Sequence, residues 1–456
     1  MPDIDRRHRP VTGTATGTAT GTAGAVLPVR PGPVPAHRAH RPPVVVLPST
    51  PVPVPGAGVQ RGPYIGVLST YPPTQCGLAT FSAALVDHLA RTAAEVGVVR
   101  VVDAPASDDV PEVVAQLVNG RGDSAAAAVR RLDTFDAVIV QHEYGIYGGP
   151  DGIDVLEVLE ALSVPVVVVL HTVLHDPSDR QRLIISRLLD VAHVVVTMTE
   201  TARTRLLAAY GTDPARITVV PHGATVHRSP AARARADHPE HAEHGRREVV
   251  PPPAAGPVPR RPLILTWGLI GPGKGIEWAV DAMAGIRDLD PRYLVLGETH
   301  PKVLDRDGER YRDSLVRRAV QRGVTDLVEF DATYLGVEEL SDVVAQADVV
   351  LLPYDSREQV TSGVLIEAVA AGRPVVSTAF PHAVELLTDG PGLVVPQRDP
   401  AALAAALRRV LTEPGLARDL SAIASRRAPG LLWGAVATRY LRIAESLVAA
   451  RRTATP

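Results

Sequence analysis

Short apolar runs alternate along most of this chain with longer stretches whose apolar positions recur at helical spacing. In the first half the runs are YIGVLST (64–70), VGVVRVV (96–102), DAVIVQHE (136–143), VPVVVVLHT (164–172), HVVVTMT (193–199) and ITVVPHG (217–223). The second half offers LILTWGLI (263–270), YLVLGE (293–298), VEFDA (328–332), VVLLPY (349–354), PVVST (374–378) and GLVVP (392–396). Several are unbroken Val, Ile and Leu, the pattern of parallel strands covered by helices on both faces. Strand and helix in repeated alternation predict two doubly wound α/β domains.

Two segments lack this periodicity. Residues 1–60 carry TGTATGTATGTAG and a proline-dense run, and residues 227–261 carry HRSPAARARADHPEHAEHGRRE and VVPPPAAGPVPRRP. Neither has the apolar surface needed to offset the entropy of ordering. The first reads as a disordered tail and the second as a disordered linker or long loop. They delimit an N-terminal domain at 61–226 and a C-terminal domain at 262–430, followed by a helix at 431–450 and a tail at 451–456. A chain of 456 residues suits two such cores.

Composition narrows the class. Lys plus Arg number 47 against 50 Asp plus Glu, a net charge of −3, which lacks the basic footprint of a general nucleic-acid binder. Cys76 is the single cysteine, so an internal disulfide framework or an all-cysteine metal site is excluded within one chain. No apolar run approaches the roughly 18 residues that cross a bilayer. MPDIDRRHRP leads into Pro, Thr and Gly instead of an apolar signal core, and a cytoplasmic protein is expected. RQRLIISRLLDVAHV has the charge to touch anionic lipid, but an amphipathic core helix is the preferred reading. Only two of the 47 basic residues, Lys274 and Lys302, are lysines.

In open parallel sheets, ligands bind beyond the carboxyl ends of the strands. Those ends are polar here: Thr70-Tyr71-Pro72-Pro73, Gln141-His142-Glu143-Tyr144, His171-Thr172, Pro221-His222-Gly223, the glycine turn 268–275, Glu298-Thr299-His300 and Tyr354-Asp355-Ser356. Two such sets predict a cleft between the domains. Thr361-Ser362-Gly363 should open the helix GVLIEAVAAG, whose free N–H groups and dipole suit a diphosphate, although an ordinary Ser/Thr cap would use the same residues. In GPGKGIE, Gly273 and its neighbours should bring Lys274 to the cleft, where an ammonium can neutralise a leaving diphosphate. His171 and His175 have an H-x-x-x-H spacing, but HTVLHDP leaves a strand for a loop and no zinc is expected. Cys76 reads as a small buried residue and not a nucleophile.

Several motifs in order, STYPPTQCGLATFSAALVDHL, QHEYGIYGG, LHTV, VPHG, WGLIGPGKGIEWAVDA and QVTSGVLIEAVAAGRPVVSTAFPHAVELL followed by GLVVP, give the chain a further character. Over about residues 64–448 it resembles the retaining glycosyltransferases of family 4, which have the GT-B fold of two facing Rossmann-like domains. The resemblance implies transfer of a hexosyl group from a nucleotide sugar, UDP-glucose or GDP-mannose in type, to an acceptor hydroxyl with retention. It implies no required cofactor or metal, the sugar nucleotide serving as co-substrate.

By the same resemblance Glu367 binds the ribose hydroxyls, Ser362 and Gly363 the diphosphate, His171 lies near the transferred sugar, and Gly77 lies near the donor phosphates from across the cleft. Thr74 and Gln75 face acceptor or sugar. His142 and Glu143, by their place beyond a strand, are expected to line the acceptor side, with a structural pair as the alternative. Where the family usually carries a first glutamate near the donor sugar, this chain has Gln359, an amide without charge. Where many relatives carry an arginine before the lysine, it has Leu269. The helix beginning at Trp433 lies where such chains cross back onto the N-terminal domain. A disaccharide phosphorylase on the same fold and a non-catalytic sugar-nucleotide sensor or scaffold are the competing readings.

Overall fold

Each predicted run becomes a strand; those inside the sheets, such as Ala137–His142, Val166–Leu170, Leu263–Trp267 and Val349–Leu352, are buried along their whole length because helices cover both faces, while the edge strands Ile217–Val219, Val328–Asp331 and Gly392–Val395 are only partly buried. The computed structural model describes residues 62–92, 94–107, 110–225 and 260–454; the expected tail at 1–60 and residues 227–259 of the expected linker lie outside them. In the N-terminal half the elements are β1 (Tyr64–Ser69), α1 (Gly77–Ala90), β2 (Glu95–Val102), β3 (Val113–Val118), α2 (Gly122–Leu132), β4 (Ala137–His142), α3 (Val155–Ala161), β5 (Val166–Leu170), α4 (Asp179–Val191), β6 (Val194–Thr197), α5 (Glu200–Tyr210) and β7 (Ile217–Val219). The C-terminal half contains β8 (Leu263–Trp267), α6 (Ile276–Met283), β9 (Arg292–Leu296), α7 (Pro301–Asp307), α8 (Arg310–Arg322), β10 (Val328–Asp331), α9 (Val337–Gln346), β11 (Val349–Leu352), α10 (Gly363–Ala370), β12 (Val375–Thr378), α11 (Pro381–Leu387), β13 (Gly392–Val395), α12 (Pro400–Thr412), α13 (Leu416–Arg427) and α14 (Trp433–Ala454).

The first sheet has the order β3-β2-β1-β4-β5-β6-β7 and the second β10-β9-β8-β11-β12-β13. Every pairing is parallel. Strand order therefore reverses between β1 and β4 in one sheet and between β8 and β11 in the other. Those reversals open crevices at the carboxyl ends, the place where this architecture receives ligands. One strand was not expected: β3, with sequence VVAQLV, forms the edge of the first sheet, and four of its six residues are only partly buried. Ala115 and Gln116 interrupt its apolar run, so periodicity alone does not reveal it.

Helix α14 ties the end of the chain to the first domain. Trp433, Val436, Ala437, Tyr440, Ile443, Ala444 and Leu447 recur at helical spacing and are buried with Phe81, Leu85 and Leu89 of α1. Burying each large side chain of this kind is worth about 1.5–3 kcal/mol, so the stripe is a substantial fastening. The Trp433 ring lies on Gly223, where a Cβ would come within 2.1 Å of it. Helix α4 likewise buries Ile184, Ile185, Leu188 and Leu189 and leaves Leu183 exposed. No helix among the described residues is long and apolar enough to cross a membrane.

Candidate active site

The C-terminal rim of the cleft begins with the turn after β8. Gly275 has a φ of 63°, and a Cβ there would fall 1.9 Å from the Pro353 carbonyl, so only glycine lets this turn close against β11. The turn carries Lys274 over the ring of Tyr354, with Nζ 4.3 Å from the centroid, a cation–π contact that holds the ammonium in place. Gly273 is exposed with open space where a side chain would stand. Tyr354 is itself fully buried, stacked on Phe380 at 5.1 Å, and its hydroxyl has no partner among the described residues.

Helix α10 supplies the second part of this rim. Ser362 is its N-cap, with Oγ accepting from the Leu365 N–H at 3.3 Å. The Ser362 N–H is engaged as well: it donates to Nδ1 of the buried His382 at 2.8 Å. Committing Ser362 in both ways leaves the N–H groups of Gly363 and Val364, the first two helical residues, which no intrahelical carbonyl can reach. The Thr361 hydroxyl beside them is buried without a partner among the described residues. One turn further on, Glu367 is partly buried and accepts from the Trp267 indole at 3.2 Å. Loss of hydration pushes its carboxyl up to about 7, with the indole hydrogen bond opposing. Gln359 is half-buried and its backbone carbonyl accepts from the His382 N–H at 3.4 Å.

The N-terminal rim is built differently. Thr74, Gln75 and Gly77 are exposed in the turn between β1 and α1, and space is open beyond Gly77. Cys76, between them, is partly exposed and caps α1, its Sγ accepting from the Ala79 N–H at 3.4 Å, which corrects the expectation of a buried cysteine. His171, just after β5, has Nε2 2.7 Å from the Gln141 amide oxygen and its ring edge-on to Phe81. Burial, together with His222 and His142, pulls its pKa down to about 3, so it is neutral. Glu143 accepts from the Thr172 hydroxyl at 2.5 Å and from the Tyr144 N–H at 3.0 Å, and burial raises its pKa. His142 is fully buried, with neither ring nitrogen bonded among the described residues and its pKa pulled down to about 4 by burial. Being adjacent on β4, Gln141 and His142 point to opposite faces of the sheet, so His142 backs the rim while Gln141 serves it.

His171 and His175 do not converge. His175 turns toward Asp176 and Glu358, whose ligand atoms lie within 4.8 Å of its own. Glu358 is already occupied by the His175 N–H at 2.7 Å and the Arg205 guanidinium at 3.2 Å. Both of these contacts cross between domains, Arg205 also donates to the Arg357 carbonyl at 3.0 Å, and further contacts do the same. Thr199 donates to the Val360 carbonyl at 3.0 Å, the Glu385 carboxylate accepts from the N–H groups of Glu200 and Thr201 at 2.9 and 2.8 Å, and Lys302 donates to the Gly145 carbonyl at 3.1 Å. His222, His382, Trp267 and Lys302 received no role from sequence. A histidine following proline at the end of a strand, in VPHG, was the one visible signal.

Comparison with known proteins settles the family. Residues 261–413 match the glycosyl transferases group 1 family and residues 76–228 match glycosyltransferase family 4. The chain belongs to glycosyltransferase family 4 and has the GT-B fold. A D-inositol 3-phosphate glycosyltransferase from Kineococcus radiotolerans is 31% identical over 59% of this chain and 61% of its own length. One of the same name from Actinosynnema mirum is 31% identical over 60% of this chain and 61% of its own. The chain thus spans about six-tenths of the length of these relatives. Anabaena HepE, solved with UDP and glucose, superposes with a TM-score of 0.62 at 16% identity, covering 85% of this chain and 100% of HepE. Sucrose-phosphate synthase from Thermosynechococcus elongatus gives 0.64 at 20% identity with coverage of 85% and 100%.

Proposed function

We propose that this glycosyltransferase moves a hexosyl group from a nucleotide sugar to an acceptor hydroxyl with retention of anomeric configuration. The donor nucleotide binds the C-terminal rim and the acceptor the N-terminal one. The observation that carries this reading is the order of groups along α10: two uncommitted N–H groups at its start, Lys274 across the glycine turn, and Glu367 four residues on. One helical turn is about 5.4 Å, which matches the succession of diphosphate and ribose in a nucleotide. A carboxylate accepts two hydrogen bonds from a vicinal diol, while the amides and the ammonium meet the negative charge of the phosphates.

In the transfer step the bond from the anomeric carbon to the diphosphate oxygen breaks. The acceptor oxygen bonds to that carbon on the same face, and the acceptor proton passes to the leaving diphosphate. Lys274 and the amides of Gly363 and Val364 stabilise the charge as it develops. Gln359 hydrogen-bonds a sugar hydroxyl without adding charge, and neutral His171, fixed by Gln141, offers another such contact. A UDP-hexose is the first donor to test, since UDP and UDP-glucose occupy HepE. A cyclitol or sugar hydroxyl is the acceptor class, with inositol phosphates first because of the relatives' names.

A thermal-shift screen against UDP, GDP, ADP and their sugar conjugates tests the donor site, because a ligand of the native state raises its melting temperature. One nucleotide should stabilise the protein, and the shift should vanish in Glu367→Ala and Lys274→Ala. A folded protein stabilised by none of them overturns the proposal. Nuclear magnetic resonance of the product then reads the anomeric configuration, and inversion overturns retention.

A further inference from the structure

His222 occupies a position that the transfer chemistry above does not use. It follows β7 in the N-terminal domain, yet its ring lies against the start of α10 in the C-terminal domain. A Cβ on Gly363 would stand 3.0 Å from both Cε1 and Nε2 of this ring. The ring is clamped edge-on to Phe81 of α1, with centroids 5.0 Å apart, and tilted against Trp433 of α14 at 5.7 Å. Nδ1 stands 2.6 Å from the Gly223 carbonyl. A carbonyl only accepts, so the ring proton resides on Nδ1, and Nε2 presents a lone pair to the edge nearest Gly363.

A lone pair at the mouth of an anion site is repulsive toward phosphate oxygen. Held by Gly223, Phe81 and Trp433, the ring cannot exchange its two nitrogens without breaking that bond and that packing. The remaining way to make the contact favourable is to add a proton at Nε2. We propose that His222 is a second cationic contact for the donor diphosphate, drawing one proton from solvent onto Nε2 as the donor binds.

The titratable groups around His222 are consistent with a ring that is neutral until the anion arrives. They are His171 beyond β5, His382 on α11, and Glu367 one turn along α10; Phe81 and Trp433 bring no charge. His382 accepts from Ser362 through Nδ1, so its own proton is on Nε2. Burial pulls His222 down to about 4, partly opposed by the Gly223 carbonyl, and pulls His382 down to about 3. An arriving diphosphate adds nearby negative charge, which favours the imidazolium.

The inference rests on the donor-site reading, and the test separates the two. Full-length protein with nitrogen-15-labelled histidine is titrated with UDP-glucose, or with whichever sugar nucleotide stabilises it. The diphosphate of a sugar nucleotide does not itself titrate near neutrality, and imidazole signals are blind to Glu367. One imidazole should pass from the neutral to the protonated position at about pH 7, and that signal should be missing in His222→Gln. The ratio of wild-type to His222→Gln affinity should rise to about tenfold as pH falls from 8 to 6, the order expected of a charged hydrogen bond. Binding without any protonated imidazole overturns the inference, as does a protonated signal that persists in the variant or a ratio independent of pH. Absence of binding by every sugar nucleotide removes the donor reading and this inference together. Should His222→Gln fail to fold, the wild-type spectrum decides by itself, and His222→Asn serves for the affinity ratio.

Discussion

The two rims of the cleft are made of the same kind of material, loops at the carboxyl ends of parallel strands, and are finished in opposite ways. On the C-terminal rim the polar groups are left uncommitted: Lys274 rests on a ring, the amides at the start of α10 lack intrahelical acceptors, and Glu367 has one hydrogen bond, from Trp267. On the N-terminal rim they are tied to each other, His171 to Gln141 and Glu143 to Thr172 and Tyr144. One rim has charge and unmade hydrogen bonds at its surface; on the other the histidines are neutral, and His171 and Glu143 are already held by neighbours of their own domain. The two rims therefore differ in how their hydrogen-bonding capacity is used more than in the kinds of side chain they carry.

Removing the cation gives the sharpest test of that contrast. Lys274→Ala should lower kcat by about a hundredfold or more, the loss typical of one preorganised electrostatic contact, while a change on the opposite rim such as Gln75→Ala acts mainly on acceptor KM. Steady-state kinetics with both substrates varied distinguishes these; equal losses in kcat would abolish the division of roles.

Glu367→Gln should weaken donor binding about tenfold and, without donor, stabilise the protein at alkaline pH. The sign follows from a carboxyl raised to about 7 in the folded state, above its ordinary value of 4.5. Its proton is held more tightly folded than unfolded, so the associated stability is present in full below about 4.5 and is lost as pH rises through about 7. The loss by pH 8 is on the order of 1–3 kcal/mol. Melting temperatures should therefore favour the variant at pH 8 and converge with wild type near pH 4.5. A constant difference across that range would refute the assignment.

Contacts between the rims should give smaller effects. Glu385→Ala removes two hydrogen bonds to the start of α5 and should cost roughly 0.5–1 kcal/mol by chemical denaturation, the lower range for a helix cap because Glu385 is exposed. Lys302→Met removes the contact with Gly145 from an exposed side chain and should change stability by about 0–1 kcal/mol. It should also raise acceptor KM about two- to threefold, by an order-of-magnitude reading of the same range; a change confined to donor affinity would place Lys302 on the other side of the comparison.

Much of this arrangement was legible in the chain. Short apolar runs located all six strands of the second sheet and six of the seven in the first, most clearly interior strands such as β5 and β11, which are apolar throughout because both faces are covered. Only β3 escaped, an edge strand whose apolar run is broken by Gln116. Strand ends also pointed to the residues that form the rims, and the motif order pointed to the family. By contrast, nothing local to VPHG or FPHAVE indicates that His222 packs on Gly363 or that His382 takes the Ser362 amide.

The sequence by itself determined which segments bury apolar surface and which residue types stand at their ends, since both follow from local periodicity. Tertiary structure alone decided which of those ends meet, that Ser362 is committed to His382 while Gly363 and Val364 are left open, and that Gly145, Glu358 and Glu385 join the two domains. Those outcomes depend on distances between residues as much as 185 positions apart, which no short-range pattern of hydrophobic and polar positions can encode.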